Sequence, residues 1–231
     1  MSPAQQASGA AIDSDWAEQL APSLYTTALL QVIETCALPP GRACEVGVGS
    51  GICLGALAAR GYQELWGSDI SPLCLQAARE MVSTVSQTVQ LQLRTGDLWK
   101  AFEGAPRFDV IVSNLPHFPG NSPQANRLPG WQGGDGRALM DRFLLGLPDF
   151  LSPEGVALIT HHDLIGLEHT NALLARRGLR STELLRWTVY ESPQRMASVT
   201  DMSLVDSCAS LRQLGPYCLI DSRILMLCHS E

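Results

Sequence analysis

Four short segments of this chain combine residue types that can hold a ligand and do chemistry on it. The first, Glu45-Val46-Gly47-Val48-Gly49-Ser50-Gly51, sets three alternating glycines behind a carboxylate. Glycines let a backbone turn tightly and approach a ligand closely. The second, Gly67-Ser68-Asp69-Ile70-Ser71, places Asp69 twenty residues beyond Gly49. That is the separation of a strand–helix–strand unit, where a carboxylate after the second strand accepts hydrogen bonds from both hydroxyls of a ribose. The third is Thr95-Gly96-Asp97-Leu98-Trp99. The fourth, Asn114-Leu115-Pro116-His117-Phe118, follows the apolar run Phe108 to Ser113. His117 titrates near neutrality and can take a proton from an ammonium whose lone pair must be free for attack. A glycine loop alone is a weak sign, but Ile52 stands where a dinucleotide fingerprint needs a small residue, which argues against a pyrophosphate.

Such motifs need strands that end at them. The hydrophobic pattern predicts a strand from Arg42 ending in Glu45-Val46-Gly47-Val48, a helix Ile52 to Arg60, a strand Glu64 to Ile70 and a helix from Pro72 to about Ser83. Strands Val89 to Arg94 and Phe108 to Ser113 follow. This alternation is that of a parallel sheet covered on both faces. Beyond a loop over 115–136 rich in Pro, Gly and Asn, the pattern predicts a helix Arg137 to Phe150, a strand Gly155 to Thr160 and a helix Leu164 to Arg177. Late strands are expected near Thr182 to Glu191 and Arg223 to Cys228, with the thirty residues between them unassigned. Upstream, Trp16 to Leu20 and Pro22 to Ala37 read as helices, the second with proline in its first turn. The expected organisation is a flexible leader over 1–12, a helical cap over 13–41 and one catalytic domain over 42–231.

The chain has 231 residues, 45% hydrophobic and 17% charged, with a formal charge of −7. That excess of acid opposes binding to phosphate backbones, which rests on clustered Lys and Arg. Arg176, Arg177 and Arg180 read as cations at a helix end. No apolar run approaches the roughly 20 residues of a membrane span. The seven cysteines form no CxxC pair, and the expectation is inert thiols in the cytoplasm, no metal site, no nucleic acid and no membrane. Cys53, just after the glycine loop, is the cysteine placed to touch a ligand.

Loop, acid and second acid after successive strands resemble the class I methyltransferases that use S-adenosyl-L-methionine (SAM), over roughly residues 42 to 161. The resemblance implies a Rossmann-like fold with a mostly parallel seven-stranded sheet. It implies that Glu45, Gly47, Gly49 and Gly51 hold the methionine end of SAM, Asp69 and Ile70 the ribose side, and Asp97 and Leu98 the adenine. Asn114 to Phe118 stands where the amino-methylating branch, which includes release-factor glutamine methyltransferases, carries Asn-Pro-Pro-Tyr or Phe. There the Asn side chain and the next carbonyl accept hydrogen bonds from the attacking nitrogen and the aromatic stacks on a planar substrate. Gly133 to Gly136 resembles that branch too. Asn114, His117 and Phe118 are therefore the catalytic candidates, Asn114 also touching SAM.

Leu115 and His117 depart from the branch pattern. A planar amide or base then lacks its platform unless Phe118 supplies it, so the expected acceptor is a small-molecule amine. Two alternatives accompany it: cyclisation of SAM by its own amine, as in azetidine-2-carboxylate synthases, and SAM binding without turnover. His161 and His162 could line the pocket, and Trp131, Tyr190, Tyr25 and Phe118 are candidate walls for the sulfonium, which aromatic faces attract.

Overall fold

The computed structural model describes residues 20–120 and 134–230. The expected leader, most of the helix Trp16 to Leu20, and Trp131 and Gly133 lie outside them. Helix α1 (Leu24–Thr35) begins on Ser23, whose hydroxyl accepts the N–H of Thr26. Pro22 thus precedes the cap instead of opening the helix. Strand β1 (Arg42–Val46) runs into the glycine loop and α2 (Ile52–Ala59). Gly51 caps α2 with φ +74, and a Cβ there would meet the Cα of Ala78 at 2.3 Å, so only glycine fits. Strand β2 (Glu64–Asp69) leads to α3 (Pro72–Val85), which Ser71 caps and Pro72 opens.

Then come β3 (Gln90–Thr95), a 3-10 turn (Leu98–Phe102), β4 (Phe108–Ser113), α4 (Ala138–Phe150), β5 (Leu151–His162) and α5 (Leu167–Arg176). Strand β6 (Leu179–Glu191) is followed by α6 (Pro193–Ser198), α7 (Met202–Asp206), β7 (Arg212–Leu214) and β8 (Tyr217–His229). The segment left unassigned by sequence thus holds two short helices and an extra short strand.

The sheet order is β3-β2-β1-β4-β5-β8-β6, with β7 pairing β8 outside that path. The first five strands are parallel, and β8 is antiparallel to both β5 and β6. This is the Rossmann-like methyltransferase architecture expected, with β7 added to the seven strands. Central β4 is apolar on both faces, as a covered strand must be. Ile111 joins a core with Phe143, Leu144 and Leu147 of α4, while Val110 and Val112 face Leu29 and Val32 of α1 and Leu54 of α2. A third cluster of Phe118, Leu164, Val199, Cys208, Cys218 and Ile220 fixes the late segment beyond the sheet. Among the described residues no helix is long and apolar enough to cross a membrane.

Register decides what meets at the strand ends. Val46 pairs with Ser113, Ser113 with Ile159, and Asp69 with Thr95. The residues just past β1 and β4, and Thr160 on β5, therefore share one edge, the place where open parallel sheets bind ligands.

Candidate active site

A cavity of about 540 Å3 opens at that edge, walled by the glycine loop, by residues 20–26 and by Asn114 to Phe118, with His162, Val189 and Arg195 at its far side. Its volume is that of a small-molecule or cofactor site. Gly47 and Gly49 turn with φ +78 and +48, and a Cβ on Gly49 would meet nothing within 4 Å. Gly51 does not face the cavity; it seats α2 against α3.

Asp69 organises the loop from the next strand. One oxygen accepts the N–H of Gly49 at 3.1 Å and the other that of Ser71 at 2.9 Å. Ile70 beside it is 73% exposed, an apolar side chain standing open next to the ribose candidate. Asp97 is held by Arg142 at 2.6 Å. Leu98 is buried in the core and has φ +50, the sole non-glycine residue with positive φ among those described. Backbone strain of that kind gathers at binding sites.

Glu45 is the buried acid beside the glycine loop, 3% exposed. It accepts the N–H of Leu54 at 3.2 Å and pairs with no cation among the described residues. Loss of hydration pushes its carboxyl up to about 8, opposed by hydrogen bonds from the Cys53 thiol and the Leu54 N–H. Cys53 lines the cavity and contacts Glu45. A buried carboxyl without a counter-ion, next to an open glycine turn, fits the α-ammonium and chain of a methionine moiety. The residues present are compatible with SAM.

Asn114 is held at both ends of its amide. Its Nδ2 donates to Thr26 Oγ1 at 3.0 Å, and its Oδ1 accepts from the Thr160 hydroxyl at 2.7 Å. Thr26 in turn contacts the Ser23 hydroxyl at 3.1 Å. In this arrangement Oδ1 accepts one hydrogen bond and keeps one lone pair. His117 is buried, and its Nδ1 lies 2.6 Å from the carbonyl oxygen of Leu115. A carbonyl only accepts, so Nδ1 carries the proton and Nε2 the lone pair. Burial holds the imidazole down at about 4, despite the bond to Leu115.

The expected platform is not there. Phe118 is 2% exposed, its ring lies edge-on to His162, and the Arg195 guanidinium sits 4.0 Å over its face. The ring supports an arginine, so it does not stack on a substrate. His162 donates from Nε2 to Glu191 at 3.0 Å and accepts the N–H of Leu164 on Nδ1, which leaves it no free nitrogen. His161 is fully buried against Thr170, away from the cavity. Tyr25 lines the cavity and packs against His117, His162 and Trp187, whereas Tyr190 is half exposed against Tyr217.

Sequence reasoning missed Thr26, Thr160, Glu191 and Arg195. None belongs to a motif, and only the antiparallel return of β6 and β8 brings the last two to the site.

A family described as "Methyltransferase domain" matches residues 43–127. A Methanocaldococcus jannaschii relative, provisionally named a protein N5-glutamine methyltransferase, is 32% identical over 132 residues, 54% of this chain and 64% of its own length. The chain thus spans under two thirds of that relative. The human methyltransferase HEMK2 is 33% identical over 193 residues, covering 72% of this chain and 88% of its own. A ribosomal protein L11 methylase structure from Lactobacillus delbrueckii subsp. bulgaricus superposes with a TM-score of 0.55 at 18% identity, over 89% of this chain and 79% of that one.

Several further relatives are named for glutamine in ribosomal protein uL3 or in release factors. Those names overturn the expected small-molecule amine acceptor and small-molecule partner, and give no support to SAM cyclisation. The site supplies a physical reason. Burial holds the His117 imidazole down at about 4, which makes it a poor base toward an alkylammonium. Sequence, fold and site together place the chain in the class I SAM-dependent methyltransferases, to which it belongs.

Proposed function

We propose that the chain methylates the side-chain carboxamide nitrogen of glutamine in a protein. The observation that carries this reading is the locked amide of Asn114 beside the Leu115 carbonyl. Together they offer two oxygen acceptors, each with a lone pair left, to the two N–H groups of a primary amide.

Glu45, Gly47 and Gly49 hold the methionine end of SAM, and Asp69, Ile70, Asp97 and Leu98 its nucleoside end. When bound, SAM supplies an electrophilic methyl group on a sulfonium. Asn114 and Leu115 align the amide nitrogen with that carbon. Orientation of this kind removes much of the barrier to a bimolecular displacement. The N–C bond forms as the C–S bond breaks, its electron pair stays on sulfur, and the nitrogen sheds one proton. His117 receives that proton on Nε2. An N-protonated amide is so strong an acid that even this weakened imidazole is base enough.

Other relatives are named tRNA1(Val) (adenine(37)-N6)-methyltransferases. The formal charge of −7 and the occupied face of Phe118 favour the protein over a nucleobase. The test is to incubate the protein with methyl-labelled SAM and a cell extract divided into protein and RNA fractions. Label should enter the protein fraction and map to glutamine by mass spectrometry. Label confined to RNA would overturn the reading.

A further inference from the structure

The acceptor end of the cavity contains one cation that neither the glycine loop nor the Asn114 motif explains. Arg195 on α6 lines the cavity, with its Nε 3.0 Å from Glu191 and its guanidinium over Phe118. Glu191 is 1% exposed and spends its other oxygen on His162. The terminal nitrogens of Arg195 make no hydrogen bond with a described residue. An arginine braced by a buried carboxylate and an aromatic face, with its fork left over, is a built donor for oxygen.

The polar groups around it divide by sign. Asn114 Oδ1, the Leu115 carbonyl and His117 Nε2 accept. Both nitrogens of His162 are committed, and the buried Tyr25 hydroxyl, near Ser222 and Glu191, is neutral and makes no hydrogen bond with a described residue. Arg195 is the charged donor of this end. A primary carboxamide, with two N–H donors on nitrogen and two lone pairs on oxygen, matches such a split. An alkylammonium does not, because it has three donors, no acceptor and a charge that Arg195 repels.

We propose that Arg195, anchored by Glu191, is the specificity residue that binds the carbonyl oxygen of the acceptor carboxamide and excludes amines. This rests on the glutamine reading above and adds to it the group that reads the oxygen.

The test uses two blocked amino acids as probes, N-acetylglutamine methylamide and N-acetyllysine methylamide, titrated by NMR into the protein saturated with S-adenosylhomocysteine. Wild type should bind the glutamine probe in preference. Arg195→Met paired with Glu191→Gln avoids a stranded buried charge. It should weaken the glutamine probe about tenfold or more, the worth of one charge-assisted hydrogen bond. It should also narrow the preference over the lysine probe and leave SAM affinity unchanged. Glu191→Gln alone, which keeps the guanidinium, should fall between. Wild type that prefers the lysine probe or ignores the glutamine probe would overturn the glutamine reading and this inference with it. Wild type that prefers glutamine, with a paired variant of unchanged SAM affinity and unchanged glutamine affinity, would overturn the role of Arg195 alone.

Discussion

The two halves of the cavity are built in different ways. The half proposed to hold the donor comes from consecutive strand ends of a parallel sheet: Glu45 on β1 and the glycines after it line the cavity, while Asp69 at the end of β2 and Asp97 after β3 stand outside its lining. Its parts lie close in sequence, and the loop and Asp69 are bound directly, Gly49 N–H to Asp69. The acceptor half is assembled from far apart. Asn114 is fixed by Thr26 and Thr160, 88 and 46 residues away. Glu191 comes from the end of β6 and Arg195 from the helix after it. Local turn chemistry makes the first half; register and packing of the whole sheet make the second.

That contrast can be broken or sharpened by substitution. The largest effect is expected at Asn114. Asn114→Ala should lower kcat about a hundredfold or more, as loss of one positioning hydrogen-bond group does in other enzymes, while SAM affinity measured by calorimetry stays unchanged. Loss of SAM binding instead would merge the halves.

Asp69→Ala acts on the other side. It removes the acceptor of the Gly49 N–H and the proposed ribose ligand, and should weaken SAM by about 1.5–3 kcal/mol, roughly ten- to a hundredfold. Unchanged affinity would mean the nucleoside lies elsewhere.

Glu45 gives a pH signature confined to the donor half. Its carboxyl, near 8 in the free protein, is protonated at pH 6–7, and an ammonium beside it favours ionisation. SAM binding should therefore release a proton, and affinity should rise as pH rises from 6 to 8 and then level. Calorimetry in buffers of different ionisation enthalpy reads that proton directly. Glu45→Gln should abolish it. The same group lowers the stability of the free protein as pH rises. Between its ordinary value of 4.5 and about 8 the unfolded chain gives up the proton and the folded chain keeps it. Urea unfolding at pH 5 and pH 8 should show a smaller difference in the Gln variant.

The smallest effect is at Thr26, which acts through Asn114. Thr26→Val should reduce kcat roughly fivefold, the worth of one neutral hydrogen bond, with the KM for SAM nearly unchanged. Thr26→Ser, which keeps the hydroxyl, should restore the rate. Failure of that rescue would leave Thr26 a packing residue of α1.

The same contrast explains how much could be read beforehand. Strand β4 was legible to the residue, because its apolar run has nowhere to go but the sheet centre. Asp69 was legible because chain order and space coincide there. Phe118 was misleading: an aromatic in the motif suggests a platform, but Arg195 comes 77 positions later and occupies its face. Nothing local to Pro193-Gln194-Arg195 announces that the helix will be folded over the cavity by the pairing of β6 with β8. The substrate was misread for a related reason. The departures at Leu115 and His117 looked like the loss of an amide site. In the fold, His117 grips the Leu115 carbonyl and the pocket keeps its acceptors.

The central claim is that the nitrogen methylated is that of a protein carboxamide. Acid hydrolysis of the labelled protein product tests it most directly, since the C–N bond of an N-methylated glutamine is itself cleaved. The label should appear as volatile methylamine. Label remaining on a methylated lysine or arginine after hydrolysis would contradict the account.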